Sequence, residues 1–299
     1  MNSHEQDRLT RRGILKLGAA GAAGACVGGL RALGAAEPVA VAPEKPAKKI
    51  PIALQLYSVR MECSKDKGKN FPAIVEALAK MGYEGVEFAG YYGYNAKQLK
   101  KILDDNGLKC AGTHTGLNTL LGDNLKRTVE FHKTIGNKFL IAPGLPRKYT
   151  ANAKAWTDTA KLFNEIAAKL KPEGMRTGYH NHSHEFKAMD GTTPWDIFFS
   201  NTNKEVVMQL DMGNCMGGGG DPVAILKKYP GRATTVHLKE RGHKAVLGGG
   251  EVKWKEVITL CRTTAGTEWF IIEQESYPFP PMETVQRCLA GLKKILATM

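Results

Sequence analysis

From Ile50 onward, short apolar runs of strand character alternate with stretches of helical periodicity, and the alternation persists to the C-terminus. Residues 52–59 read as a first strand. Residues 71–81, apolar at Ile74, Val75, Leu78 and Met81, read as a helix ended by Gly82. A second strand at 86–89 precedes a helix at 96–105 stopped at Gly107, and a third at 109–113 precedes a helix at 125–135 closed by Gly136. The fourth strand, 139–142, leads to a long helix at 153–170; the fifth, 176–180, leads to a short helix after Pro194. The sixth, 206–210, is followed by Pro222 at the start of a helix over 223–229. The seventh, 233–238, is followed by a helix at 254–262, and the eighth, 269–272, by an amphipathic helix at 282–296.

Eight consecutive βα units with strands apolar on both faces predict an α/β fold, a closed parallel (β/α)8 or TIM barrel. A doubly wound open sheet would fit six or seven units and would place a glycine-rich phosphate turn after its first strand. That turn is Tyr57-Ser58-Val59-Arg60 here, and Gly217-Gly218-Gly219-Gly220 lacks the Lys-Ser/Thr of a phosphate loop. The glycine run is read as a flexible turn over the site.

The chain before the barrel has a different texture. Arg8 and the pair Arg11-Arg12 precede a Gly/Ala-rich, weakly apolar run from Leu17 to Leu30 and a small-residue end at Gly34-Ala35-Ala36. That order is the one of an export signal, and paired arginines point to the Tat route. Residues 1–36 are therefore expected to be cleaved and the mature chain to be periplasmic. The run is too short and glycine-rich to span a bilayer, so no stable membrane insertion is expected after cleavage. Cys26 follows Ala23-Gly24-Ala25 without the usual leucine of a lipoprotein site. Residues 37–49, rich in Pro, Ala and Lys, read as a linker, leaving 50–299 as the barrel.

The net charge is +13, and residues 1–36 hold five basic against two acidic residues, so +10 stays on the mature chain. The lysines are spread over helix faces without the stripe or aromatic interleaving of a nucleic-acid groove, so no nucleic-acid partner is expected. Cys63, Cys110, Cys215, Cys261 and Cys288 remain after cleavage, an odd number without CxxC spacing that demands no disulfide framework.

Chemistry concentrates in Gly178-Tyr179-His180-Asn181-His182-Ser183-His184-Glu185-Phe186. A polar turn with incidental histidines is the bland alternative. Against it, other apolar runs end in the same way, in His114, Asp211, His237 and Glu273. A barrel brings the C-terminal ends of its strands to one mouth. Those ends carry Gln55 and Tyr57, Glu87, His114, His180 and His182, then Gln209, Asp211 and Asn214, His237, Lys239 and Glu240, and Glu273 and Glu275; only the fourth strand offers none. A lone histidine at a strand end is more often a hydrogen-bonded core residue. Unpaired charges gathered on one mouth, however, would cost several kcal/mol. One divalent cation (Mn, Zn, Co, Fe or Mg) is the natural counter-charge for a mixed imidazole and carboxylate set. His4, His132, His184 and His243 lack the strand-end context, and His132, inside a predicted helix, is read as a surface residue.

Gly85-Val86-Glu87-Phe88, Gly112-Thr113-His114, Tyr179-His180-Asn181-His182, Gln209-Leu210-Asp211-Met212-Gly213-Asn214, Val236-His237-Leu238-Lys239 and Ile272-Glu273-Gln274-Glu275 follow in order. Together they resemble the sugar phosphate isomerase/epimerase superfamily, the xylose isomerase-like TIM barrel group that also contains endonuclease IV and inosose dehydratase. The resemblance runs from Ile50 to the C-terminus. It implies one divalent metal held from strands five to eight, by position His180, Asp211, His237 and Glu273. The family more often has a glutamate where His180 stands, which leaves His182 and Glu185 open as alternatives. Endonuclease IV-like members hold three metals with a further histidine where this chain has Asn214, which argues against a DNA-repair site.

Such a mouth supports enolisation beside a carbonyl, with a cation stabilising the enediolate and a side chain moving the α-proton. Glu273 is expected to act as both ligand and base, with Glu87, His114 and His182 as further proton-transfer candidates. Gln55, Tyr57, Glu185, Asn214, Lys239 and Glu275 are the expected substrate-binding residues, and Tyr57, Phe88 and Tyr179 would offer apolar faces to sugar carbons. Return of the proton to carbon makes an isomerase or epimerase of a keto-sugar, the expected activity. Loss of a β-substituent makes a lyase on 3-keto-glycosides or inosose-like substrates. Export favours an unphosphorylated carbohydrate. A non-catalytic carbohydrate-binding barrel is the competing class.

Overall fold

The computed structural model describes residues 49–242 and 245–299. The expected export signal, its cleavage site, Cys26, the linker up to residue 48, His4 and His243 lie outside the described residues. Strands β1 (Ile52–Gln55), β2 (Gly85–Phe88), β3 (Lys109–His114), β4 (Phe139–Ala142), β5 (Arg176–His180), β6 (Val207–Asp211), β7 (Thr235–Leu238) and β8 (Trp269–Ile272) pair in sequence order into a closed barrel. Every pairing is parallel, and β1 closes on β8 through Ile52 opposite Phe270 and Leu54 opposite Ile272. No helix among the described residues is long and apolar enough to cross a membrane.

Among the described residues, ten α-helices accompany the strands: α1 (Arg60–Ser64), α2 (Phe71–Met81), α3 (Ala96–Asp105), α4 (Asn124–Thr134), α5 (Ala153–Leu170), α6 (Pro194–Ser200), α7 (Met212–Gly218), α8 (Pro222–Lys228), α9 (Trp254–Thr263) and α10 (Pro281–Leu296). Their ends follow local chemistry. A reciprocal Asn95/Gln98 capping box opens α3, the Asn152 side chain accepts the Ala155 N–H to open α5, and Gly82, at φ +97°, ends α2.

Two expectations change here. The first strand stops at Gln55 rather than at 59, because the Gln55 side chain accepts the Tyr57 N–H and turns the chain into a 3-10 segment, Leu56–Val59, that runs into α1. The glycine run after β6 is not a flexible turn, since Gly217 and Gly218 lie within α7. A Cβ on Gly218 would stand 2.2 Å from the Ser183 carbonyl oxygen, so glycine lets α7 press against the loop after β5.

Side-chain parity divides the core. One face of the strands packs under the helices in a cluster that includes Trp156, Phe163, Tyr179 and Phe198. The other lines the barrel interior with Ala53, Ala111 and Ile271, and with Phe139, Ile141 and Val207, and Trp269 packs against both groups. Alternation then requires Gln55, Glu87, Gln209, Asp211, His237 and Glu273 to continue the interior rows towards the strand C-termini. His132 is corrected as well: it is buried, with Tyr91 Oη 3.2 Å from Nε2 and Asn137 Nδ2 3.0 Å from Nδ1.

Candidate active site

Register places the site. Gln55 lies opposite Glu87, His180 opposite Gln209, and Asp211 opposite His237, and partners on adjacent parallel strands share a face. The lower layer is a closed polar network around Glu87, which is fully buried. Its Oε2 accepts from Gln55 Nε2 at 2.7 Å and faces His237 Nε2 at 2.6 Å, while Oε1 accepts from Gln209 Nε2 at 2.7 Å. Gln209 also donates to Thr235 Oγ1 at 3.0 Å, and its Oε1 lies 2.7 Å from His114 Nε2. Burial opposes ionisation of Glu87, but His114 and His237 more than offset it and hold its pKa below the usual carboxylate value.

Above this layer, His180, Asp211, His237 and Glu273 each direct a ligand atom to one place, all within 4.8 Å of one another and all buried. These are the four residues expected to hold a metal. His237 Nδ1 is 3.2 Å from Glu273 Oε2 and 3.9 Å from Asp211 Oδ2. Asp211 Oδ1 caps α7 by accepting the Asn214 N–H at 2.7 Å, whereas Oδ2 is buried without a partner, as is Nδ1 of His180. Burial is the largest cause, with Glu273 adding to it, of an Asp211 pKa pushed up to about 7. Burial disfavours a charged His237 too, but Glu87 and Glu273 outweigh it and raise its pKa to about 10. Burial, then His237 and His114, push His180 well below its ordinary value and keep it neutral. Two imidazoles and two carboxylates converging in a buried site, with one carboxylate oxygen and one imidazole nitrogen among them unpartnered, fit a divalent cation.

The remaining expected residues separate into two groups. At the rim, Lys239 pairs with Glu275 and reaches Glu273 Oε2 at 3.7 Å. Tyr57 is 40 % exposed beneath the Arg60 guanidinium, and His182 is exposed with its ring edge-on to His180 at 5.3 Å. His114 is wedged beside the four ligands, its ring stacked on His237 at 5.2 Å.

Other expected residues are spent on structure. Gln55 is fully buried with its amide committed to Glu87 and to Tyr57 N. Glu185 is fully buried, accepting from Tyr179 Oη at 2.5 Å and His182 N at 2.9 Å and pairing with His184 at 3.0 Å, so it braces the loop after β5 instead of facing substrate. The Asn214 amide donates to Asn181 O at 3.2 Å. Phe88 and Tyr179 are buried on the helix side of their strands and offer no face to a sugar. Parity was the available signal: with His180 pointing inward, Tyr179 must point outward. Asn181 had no such signal; it clamps β5 to β6 by accepting the Asp211 N–H at 2.8 Å and donating to Asp211 O at 3.1 Å.

Residues 75–295 match the family model described as "Xylose isomerase-like TIM barrel". The chain belongs to this family. Within it, the chain is 26% identical over 253 residues to an inosose dehydratase of Clostridium perfringens, covering 71% of this chain and 84% of that one. A sugar phosphate isomerase/epimerase from Parabacteroides distasonis superposes with a TM-score of 0.69 at 26% identity, covering 86% and 98% of the two chains. A D-allulose 3-epimerase from Methylomonas sp., solved in complex with D-allulose, shares the fold with a TM-score of 0.61 at 12% identity over 83% and 97%. The family thus contains enzymes named both as isomerases or epimerases and as dehydratases.

Proposed function

We propose that this chain is a divalent-metal-dependent isomerase or epimerase that enolises an unphosphorylated keto-sugar or sugar derivative. The observation that carries the reading is the convergence of His180, Asp211, His237 and Glu273, with Asp211 Oδ2 and His180 Nδ1 buried and unpartnered. A divalent cation held by these four would supply the positive charge that stabilises an enediolate. Asp211 stays oriented because its other oxygen is tied to the Asn214 N–H. Glu273 engages His237 and Lys239 through Oε2, and we assign Oε1 the α-proton. We assign further proton transfer to His182, whose ring meets His180, and to His114, whose ring stacks on His237. Lys239 neutralises negative charge developing on a substrate oxygen, and Tyr57, 40 % exposed with Arg60 over one face of its ring, offers aromatic surface to a sugar. Export by the expected N-terminal signal would go with a substrate without phosphate, since sugar phosphates are scarce outside the cytoplasm.

A lyase outcome is the second reading, favoured by the relatives named inosose dehydratase and by Lys239 beside Glu273. Incubation in D2O with a panel of keto-sugars and 3-keto-glycosides, read by NMR alongside metal analysis, separates the two. Deuterium at the α-carbon with an isomeric product is expected; an elimination product selects the lyase. Turnover that persists after stringent metal removal refutes both.

A further inference from the structure

Glu87 is a fully buried carboxylate in the barrel on which the side chains of Gln55, Gln209 and His237 converge. Its surroundings are built for it. A Cβ on Gly112, its register neighbour, would come within 2.6 Å of Oε1, so only glycine leaves room for the carboxylate. Gln55, Gln209 and His237 all meet it at 2.6–2.7 Å. An ionised carboxylate only accepts, so the His237 nitrogen facing it, Nε2, must carry a proton. The second contact is indirect but equally directional. Gln209 spends its amide N–H groups on Glu87 and Thr235, which turns its carbonyl oxygen to His114 Nε2 at 2.7 Å. That oxygen also only accepts, so His114 likewise carries its proton on Nε2. The two rings lie nearly parallel, 12° apart, with both Nε2 atoms directed at the same acidic core: His114 Nε2 is itself 3.4 Å from Glu87 Oε2.

We propose that Glu87 is a positioning residue that keeps Nε2 of both stacked imidazoles protonated, one directly and one through Gln209, so that Nδ1 is the nitrogen each ring presents to the site. The inference rests on the metal-site reading above for one of its two consequences. At His237, with Nε2 held as the donor to Glu87, Nδ1 is the atom facing Asp211 and Glu273; it gives its proton to Glu273 while the site is empty and is the nitrogen freed for a cation, so Glu87 prepares a metal ligand. At His114 the bare Nδ1 becomes a proton acceptor within the mouth, which makes His114 a base rather than an acid in its neutral form. A glutamine at position 87 could not do the same. It has one acceptor oxygen for three donors, and its own N–H groups would face those of Gln55 or Gln209 or force His237 into the opposite tautomer.

The test uses the full chain labelled with 15N-histidine, metal-free and with zinc, read by long-range proton–nitrogen correlation with peaks assigned by single histidine replacement, beside calorimetric zinc titration. Wild type is expected to show His114 protonated on Nε2 alone, and His237 likewise once zinc is bound. Glu87→Gln is expected to remain folded by circular dichroism, to lose the single tautomer at both rings, and to bind zinc roughly 10–100-fold more weakly. Wild-type His114 carrying its proton on Nδ1 overturns the proposal, whether or not the variant folds. So does a Glu87→Gln chain that binds zinc as tightly as wild type with His237 still protonated on Nε2. A wild-type chain that binds no zinc refutes the metal reading, while the His114 tautomer still decides this one.

Discussion

His132 shows how a single side chain can acquire a titration that its position in the chain conceals. It sits in α4 between Phe131 and Lys133, and Asn137 and Tyr91 clamp both ring nitrogens, while burial lowers its pKa to about 4. The folded state therefore rejects a proton that the unfolded chain accepts near 6.5. Its contribution is complete above pH 6.5 and is lost as pH falls towards 4. The loss at pH 4.5 comes to about 2.5 kcal/mol. Urea denaturation at pH 7.5 and 4.5 should show that His132→Gln flattens this dependence by about that amount; equal slopes for the two proteins would place the acid sensitivity elsewhere. The five described cysteines are likewise decided by burial, being all free and all buried. Burial raises each thiol, Cys110 to about 12, leaving them unreactive packing residues.

At the scale of elements, glycines that look alike in the chain do different work. Gly82 and Gly219 end helices at positive φ, whereas Gly218 is helical and is small because the Ser183 carbonyl lies against it. Gly218→Ala should cost about 1–3 kcal/mol, measured as a lower denaturant midpoint, because backbone is the group in the way. The equivalent change at Gly136, φ +74° with open space around it, should cost less and act only through backbone strain. Most helix bounds were legible because Asn, Pro and Gly caps are local signals, as at α3, α5 and α8. The end of β1 was not, since one side chain, Gln55, bends the chain back by bonding its own neighbour.

For the whole molecule, the buried carboxylates and imidazoles at the mouth make stability depend on what neutralises them. If one cation binds the folded chain and not the unfolded one, about 2.7 kcal/mol is gained at 100 times its dissociation constant. For a barrel of this size that is roughly 5–11 °C in melting temperature. A chelator-treated sample should melt lower by that margin and recover on adding Mn or Zn, but not on adding a monovalent salt at equal ionic strength. A thermogram indifferent to divalent metal would sever the four-residue group from any such ion.

The order of residues alone determines that eight strands alternate with helices, that nearly every strand ends on a polar group, and hence that these groups meet at one mouth if the sheet closes. Those are local signals of periodicity, caps and strand ends. Closure and register decide what each group does there, because they set which neighbour lies within hydrogen-bond reach. His180, Asp211, His237 and Glu273 are left facing one another, with Asp211 Oδ2 and His180 Nδ1 unpartnered, while Glu87, Gln55 and Glu185, no less polar in the chain, are engaged by groups from strands and loops up to 150 residues away.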